Sequence, residues 1–128
     1  MPILSDVIDN GYIVRQVVKD PWTTDDLIKA GDFEKKHIDG VAHSVHLLVN
    51  FSDCRSIPGD AWMMRRVPST KHERLGYMVF AGTQKWLQLI MSVILRFMGF
   101  NRFRFFETER EARNFLHGQI PKEEMPAE

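Results

Sequence analysis

Cys54 is the single cysteine of this chain, and a thiolate beside a histidine base and an orienting carboxylate is the arrangement of nucleophilic catalysis. His43, His46 and Asp53 supply those residue types within eleven positions of it. Nearness in sequence does not supply the geometry, however, and an isolated thiol next to an apolar run reads as buried and inert. His43 and His46 are also of metal-ligating type. Three apart in an extended segment, they point to opposite faces, and no carboxylate or cysteine stands at a ligand spacing. No metal and no cofactor are therefore expected. Asp53, Arg55 and Asp60 fall in the loop after that run, where open α/β sheets hold their ligands, although solvation and helix capping use the same residues. A glycine-rich phosphate loop and a nucleophile elbow are both missing from the sequence. The expectation is a protein that is not an enzyme.

The elements around these residues follow from periodicity and punctuation. Ile3 to Ile8 and Tyr12 to Val18 are β-branched runs joined at Asn10-Gly11, which suits a tight type I′ hairpin. Pro21 ends the second run. Thr23 or Thr24 with Asp25 and Asp26 then opens a helix to about His37, interrupted by Gly31 at roughly 1 kcal/mol relative to alanine. Val45 to Phe51 is nearly all apolar, as in a strand covered on both sides. A short helix is expected from Ala61 to about Arg66, stopped before Pro68. Leu75 to Ala81 is a second buried strand, Gln84 to Met98 the longest helix with Gly99 closing it, and Phe103 to Phe106 a last strand. Thr108 and Glu111 are spaced as a capping box for a final helix carrying Ala112, Phe115 and Leu116. Residues 121–128 read as a loose tail, leaving residues 1–120 as one α/β domain.

The size of 128 residues supports that single domain, and a lone cysteine suits a reducing compartment. The N-terminal segment carries Asp6 and Asp9 where an export signal needs a basic start, so a cytoplasmic location is expected. Net charge is zero but unevenly spread. Residues 61–104 hold eight cations against Glu73 alone, a net +7, which leaves −7 for the rest.

The long helix carries more apolar surface than packing on a sheet requires. Trp86, Ile90, Val93 and Phe97 form one row, read here as the core stripe. Leu87, Met91, Ile94 and Met98, with Leu95 beside them, form a second row about 100° further round. If other elements leave that second row uncovered, it lines an apolar pocket, forms a subunit interface or lies on a lipid surface. Arg96, Phe100, Arg102 and Arg104, interleaved with Phe103 and Phe105, add the mixture of cations and aromatics found at membrane surfaces. In a strand, Phe103 and Phe105 face one side and Arg102 and Arg104 the other, which a core strand with a solvated face also explains.

Three blocks, VHLLVNFSDCRSIPGDAW, RLGYMVFAGTQKWLQLIMSVI and RFRFFETEREARNFL, resemble the SpoIIAA-like proteins, relatives of the STAS domains, over roughly residues 11 to 117. The likeness implies a mixed sheet with an N-terminal hairpin and about four helices packed mainly on one face. It also implies no enzymatic activity. STAS antagonists of anti-sigma factors switch on a serine at the helix start after the central strand; here Ile57-Pro58-Gly59-Asp60 stands there, with Ser56 just upstream, so the switch does not carry over. Stand-alone SpoIIAA-like proteins resemble lipid-carrying CRAL-TRIO domains in general shape. The resulting expectation is a binding module for an apolar small molecule or an anionic membrane surface, peripheral to the inner face of the membrane. The alternative is a regulatory interaction domain of bacterial type, as a homodimer. Nucleic acid is not expected as a partner.

Overall fold

A computed structural model describes residues 2–59 and 72–122. The short helix expected at Ala61 to Arg66, Asp60, and residues 123–128 of the expected tail lie outside the described residues. Five strands form one mixed sheet in sequential order: β1 (Ile3–Ile8), β2 (Ile13–Lys19), β3 (Val45–Asp53), β4 (Leu75–Ala81) and β5 (Phe103–Phe106). β1 and β2 are antiparallel, and β2 to β5 run parallel. Among the described residues three α-helices accompany them: α1 (Thr24–Asp39), α2 (Lys85–Phe97) and α3 (Glu109–His117).

The hairpin register is Ile8 opposite Ile13, so its loop is the four residues Asp9 to Tyr12, two more than a type I′ turn has. Asp9 and Asn10 are left-handed, with φ of 53° and 58°, before Gly11 at 87°. Asp and Asn tolerate that region better than most residues. Asp9 adopts it with its carboxylate turned inward, hydrogen-bonded to α3. α1 starts at Thr23, whose hydroxyl accepts from the Asp26 N–H while the Asp26 carboxylate accepts from the Thr23 N–H. The helix runs through Gly31 to Asp39.

Both faces of the parallel strands are apolar, which is why β3 reads as a continuous hydrophobic run. Val45, Leu47, Val49 and Phe51 join one core with Val14, Phe80 and residues of α1 and α2. Leu48 joins the other, with Ile13, Val79 and Ala81 beneath Ala112 and Leu116 of α3. The described helices thus divide two and one between the faces, rather than mainly on one face. The handedness of crossovers gives the reason: strand order advances steadily from β2 to β5, so right-handed connections put α1 and α2 on the same side. No described strand follows α3, and it folds back over the face they leave open.

His46 illustrates how close the strands pack. Its Nδ1 accepts from the Tyr77 N–H at 2.9 Å, and a Cβ at Gly76 would lie 2.3 Å from the same nitrogen. Only glycine fits there. Burial holds the imidazole below its usual pKa despite a hydrogen bond to the Gln119 backbone.

Candidate functional site: the outward face of α2

The end of α2 fixes which way the helix faces. Gly99, at φ 80°, follows the helix in the left-handed conformation. Phe100 N–H donates to the Leu95 carbonyl at 2.9 Å and Gly99 N–H to the Arg96 carbonyl at 3.0 Å. This is a Schellman closure, in which the residue after the glycine packs back on the one five positions earlier. Phe100 and Leu95 are both buried, so the Leu95 side of α2 must face the sheet.

The consequence reverses the sequence expectation. Leu87, Met91, Ile94 and Leu95 are buried in the α1/α2 core, with Met98 packed against it. Apart from Ile94, which also borders the groove described below, they do not form an exposed ligand or interface row. Three residues of the row read as core are exposed instead, Trp86 at 42%, Val93 at 58% and Phe97 at 71%, together with Leu89 at 69%. Ile90 lies at its border, partly buried. Beside this row, Leu89, Ile90, Val93 and Ile94 face Ile57 and Pro58 across an open apolar groove of about 490 Å³.

Along α2 itself the charge has one sign. Lys85 and Arg96 are exposed, and by helical geometry they fall about 20–40° round from Leu89, away from the core. From Arg74 to Phe106 the sequence has no Asp or Glu, against five Lys and Arg. The expected cations, Arg96 included, are partly engaged with the sheet. Arg96 lies 5.8 Å over Phe103, and Arg102 lies 5.1 Å over Phe100 while donating to the Leu75 and Gly76 carbonyls. Arg104 stacks on Tyr77 and Phe115, on the α3 side of the sheet, and so does not belong to the α2 surface. Phe100 is core rather than surface.

The residues of catalytic type are not brought together. Cys54 is buried; burial pushes its thiol pKa up, and the Trp22 indole N–H donates to its sulfur at 3.1 Å. His43 stacks on Tyr12, and His46 bonds to β4. Asp53 is exposed at the end of β3, and the Arg55 N–H donates to Asp20 at 2.6 Å. Among the described residues no three His, Cys, Asp or Glu side chains are gathered as metal ligands.

A polar cluster that sequence reasoning missed holds α3 to the sheet. The Asp9 carboxylate, 1% exposed, accepts from Arg113 at 2.6 and 3.0 Å and from His117 Nε2 at 2.9 Å. Burial alone would raise the Asp9 pKa, but these partners hold it below the usual carboxylate value. One turn away Glu109 accepts from Arg15 at 2.6 Å and from Asn50 at 2.7 Å, and its pKa is lowered against burial in the same way. The groove beside this cluster is lined by Glu109, Arg110, Arg113, Asn114 and His117. The Asp9 carboxylate thus ties the hairpin loop to Arg113 and His117 of α3.

Comparison with family models, curated proteins and solved structures finds no match. No helix among the described residues is long and apolar enough to cross a membrane.

Proposed function

We propose that this is a non-catalytic module that docks on an anionic membrane surface through the outward face of α2. The observation that carries the reading is the exposed row Trp86, Leu89, Val93 and Phe97 beside Lys85 and Arg96, on a helix without a carboxylate. A helix lying in the interface plane needs an apolar face to enter the acyl boundary and cations to meet the headgroups. Taking four such half-exposed side chains out of water is worth roughly 3–6 kcal/mol. Each cation adds about 1 kcal/mol at an anionic surface. The groove against Ile57 and Pro58 is open, which suits acyl chains of an intact bilayer better than a lipid carried away from it, since carried ligands are mostly enclosed.

The same charge disfavours self-association through this face. Antiparallel two-fold packing of two α2 helices brings both basic strips onto one side, where like charges repel. The likeness to SpoIIAA-like proteins, resting on the three sequence blocks, agrees with a binding role at the inner face of a membrane. Ser56, whose hydroxyl donates to Asp20 at 3.2 Å, takes no part in the proposal.

Vesicle co-sedimentation tests it. The protein should pellet with phosphatidylserine-containing vesicles at low salt and not with pure phosphatidylcholine, and binding should weaken as salt rises. Val93→Asp should abolish it without unfolding the domain. Absence of binding to anionic vesicles at low salt, or binding indifferent to Val93→Asp, would dismiss the reading.

A further inference from the structure

β1 is an outer strand of the sheet, and its pairing with β2 shows which backbone groups face outward. Lys19 N–H donates to the Pro2 carbonyl at 2.8 Å, which makes Pro2 and Lys19 a hydrogen-bonded pair. Antiparallel ladders alternate, so Leu4, Asp6 and Ile8 bond to β2, while Ile3, Ser5 and Val7 direct their N–H and C=O groups away from it. Among the described residues these outward groups have no backbone partner. Alongside them runs an apolar groove of about 360 Å³ between β1 and α1, lined in part by Ile3, Ser5, Asp26, Lys29, Ala30 and Phe33. Leu4 and Phe33, which also line it, are exposed, as is Val7 further along β1. Exposed edges are usually blunted by lysine, proline or a bulge; along β1 the register is unbroken, and its one charge is Asp6.

We propose that this edge pairs with the β1 edge of a second copy of the chain, joining two five-stranded sheets into one across a two-fold axis at Ser5. That register uses every outward group: Ser5 pairs with itself, and Ile3 pairs with Val7 in both directions. On the opposite face Leu4 then stands across from Asp6, apolar against charged, and no carboxylate directly faces another. The helices fit the same symmetry. α1 lies over β1 and β2, so the two α1 axes come about two strand spacings apart, about 10 Å, the ordinary distance for packed helices. Across that seam the two α1 helices run antiparallel, with Phe33 of each lining the groove beside Ser5. At that groove α1 offers both charge signs, Asp26 and Lys29, whereas the helix α2 itself carries cations only. Zero net charge adds no long-range repulsion. The contact does not rest on membrane binding and is read in its absence.

Sedimentation velocity from low micromolar to several hundred micromolar protein, without lipid, tests the pairing. The wild-type chain should move from monomer to dimer across that range. Val7→Pro removes an outward amide and no β1–β2 hydrogen bond, so it should weaken the dimer at least about tenfold with the circular dichroism unchanged. Should Val7→Pro fail to fold, Leu4→Glu serves instead: it sets a carboxylate opposite Asp6 and should disperse the dimer, and adding Asp6→Lys should restore it. Val93→Asp, on α2, should leave the dimer intact. A monomer at every concentration overturns the proposal, and so does a dimer that survives both Val7→Pro and Leu4→Glu.

Discussion

Replacing Leu87 and Val93 in turn by alanine measures the orientation of α2, on which the membrane reading depends. Leu87 is 0% exposed and belongs to the core shared by α1, α2 and the sheet. Its truncation removes three buried carbons from a packed site and should cost about 2–5 kcal/mol. Val93 is 58% exposed. Its truncation loses little buried area and trades a β-branched residue for the best helix former, so its effect should stay within about 0.5 kcal/mol of zero. For a domain of this length each kcal/mol moves the thermal midpoint by about 3–5 °C, so Leu87→Ala should fall by roughly 6 °C or more and Val93→Ala should hardly move. Urea titration with both variants gives the free energies, and an unchanged slope certifies that only stability has altered. Equal losses at the two positions, or a larger loss at Val93, would refute the burial of the Leu87 side and with it the exposed row.

Asp9→Asn should cost about 1–3 kcal/mol, because it removes the charge from a buried acceptor of Arg113 and His117, and a chemical denaturation curve reads it. Both Asp9 and Glu109 have folded pKa values below their ordinary ones; their stabilisation is complete above the unfolded carboxylate pKa and lost as pH falls through the lower folded values. Stability measured against pH should therefore decline on the acid side, less steeply in Asp9→Asn. His46 also has a depressed folded pKa, so its share is present above about pH 6.5, the unfolded value, and is lost as pH falls through the folded one; NMR should show its ring neutral at pH values where free imidazole is charged. Native Cys54 should react with a thiol reagent far more slowly than in urea, given its burial and raised pKa.

Much of the fold is legible because its signals are local. The apolar run of β3, the Thr23 and Thr108 caps and the Gly99 stop each act within a few residues, and each described element lies within two residues of its expected place. The hairpin loop is longer than Asn10-Gly11 suggests because Asp9 is drawn inward by Arg113 and His117, 104 and 108 residues away. Nothing near Asp9 announces those partners. The same holds for Arg15, Asn50 and Glu109, which three separate elements bring together. Long-range polar clusters of this kind leave no period in a sequence, since each member reads alone as ordinary surface charge.

The rotation of α2 is a different case, because the sequence does contain the signal. An apolar arc wider than one stripe offers two candidate core rows, and counting residues in each cannot choose between them. The choice comes from the chain's exit. Gly99 as the left-handed residue makes Phe100 pack back on Leu95, and Leu95 shares its side with Leu87, Met91 and Ile94. The same bend leads into β5, whose Phe103 joins that core. A Gly99→Ala change tests this link directly: alanine at φ 80° is strained by about 1–2 kcal/mol, so the closure should loosen and the protection of the Phe100 amide against hydrogen exchange should fall before that of β3. If Phe100 kept its protection with alanine at position 99, the turn would not be what sets the rotation of the helix, and the sheet alone would have to select the buried row.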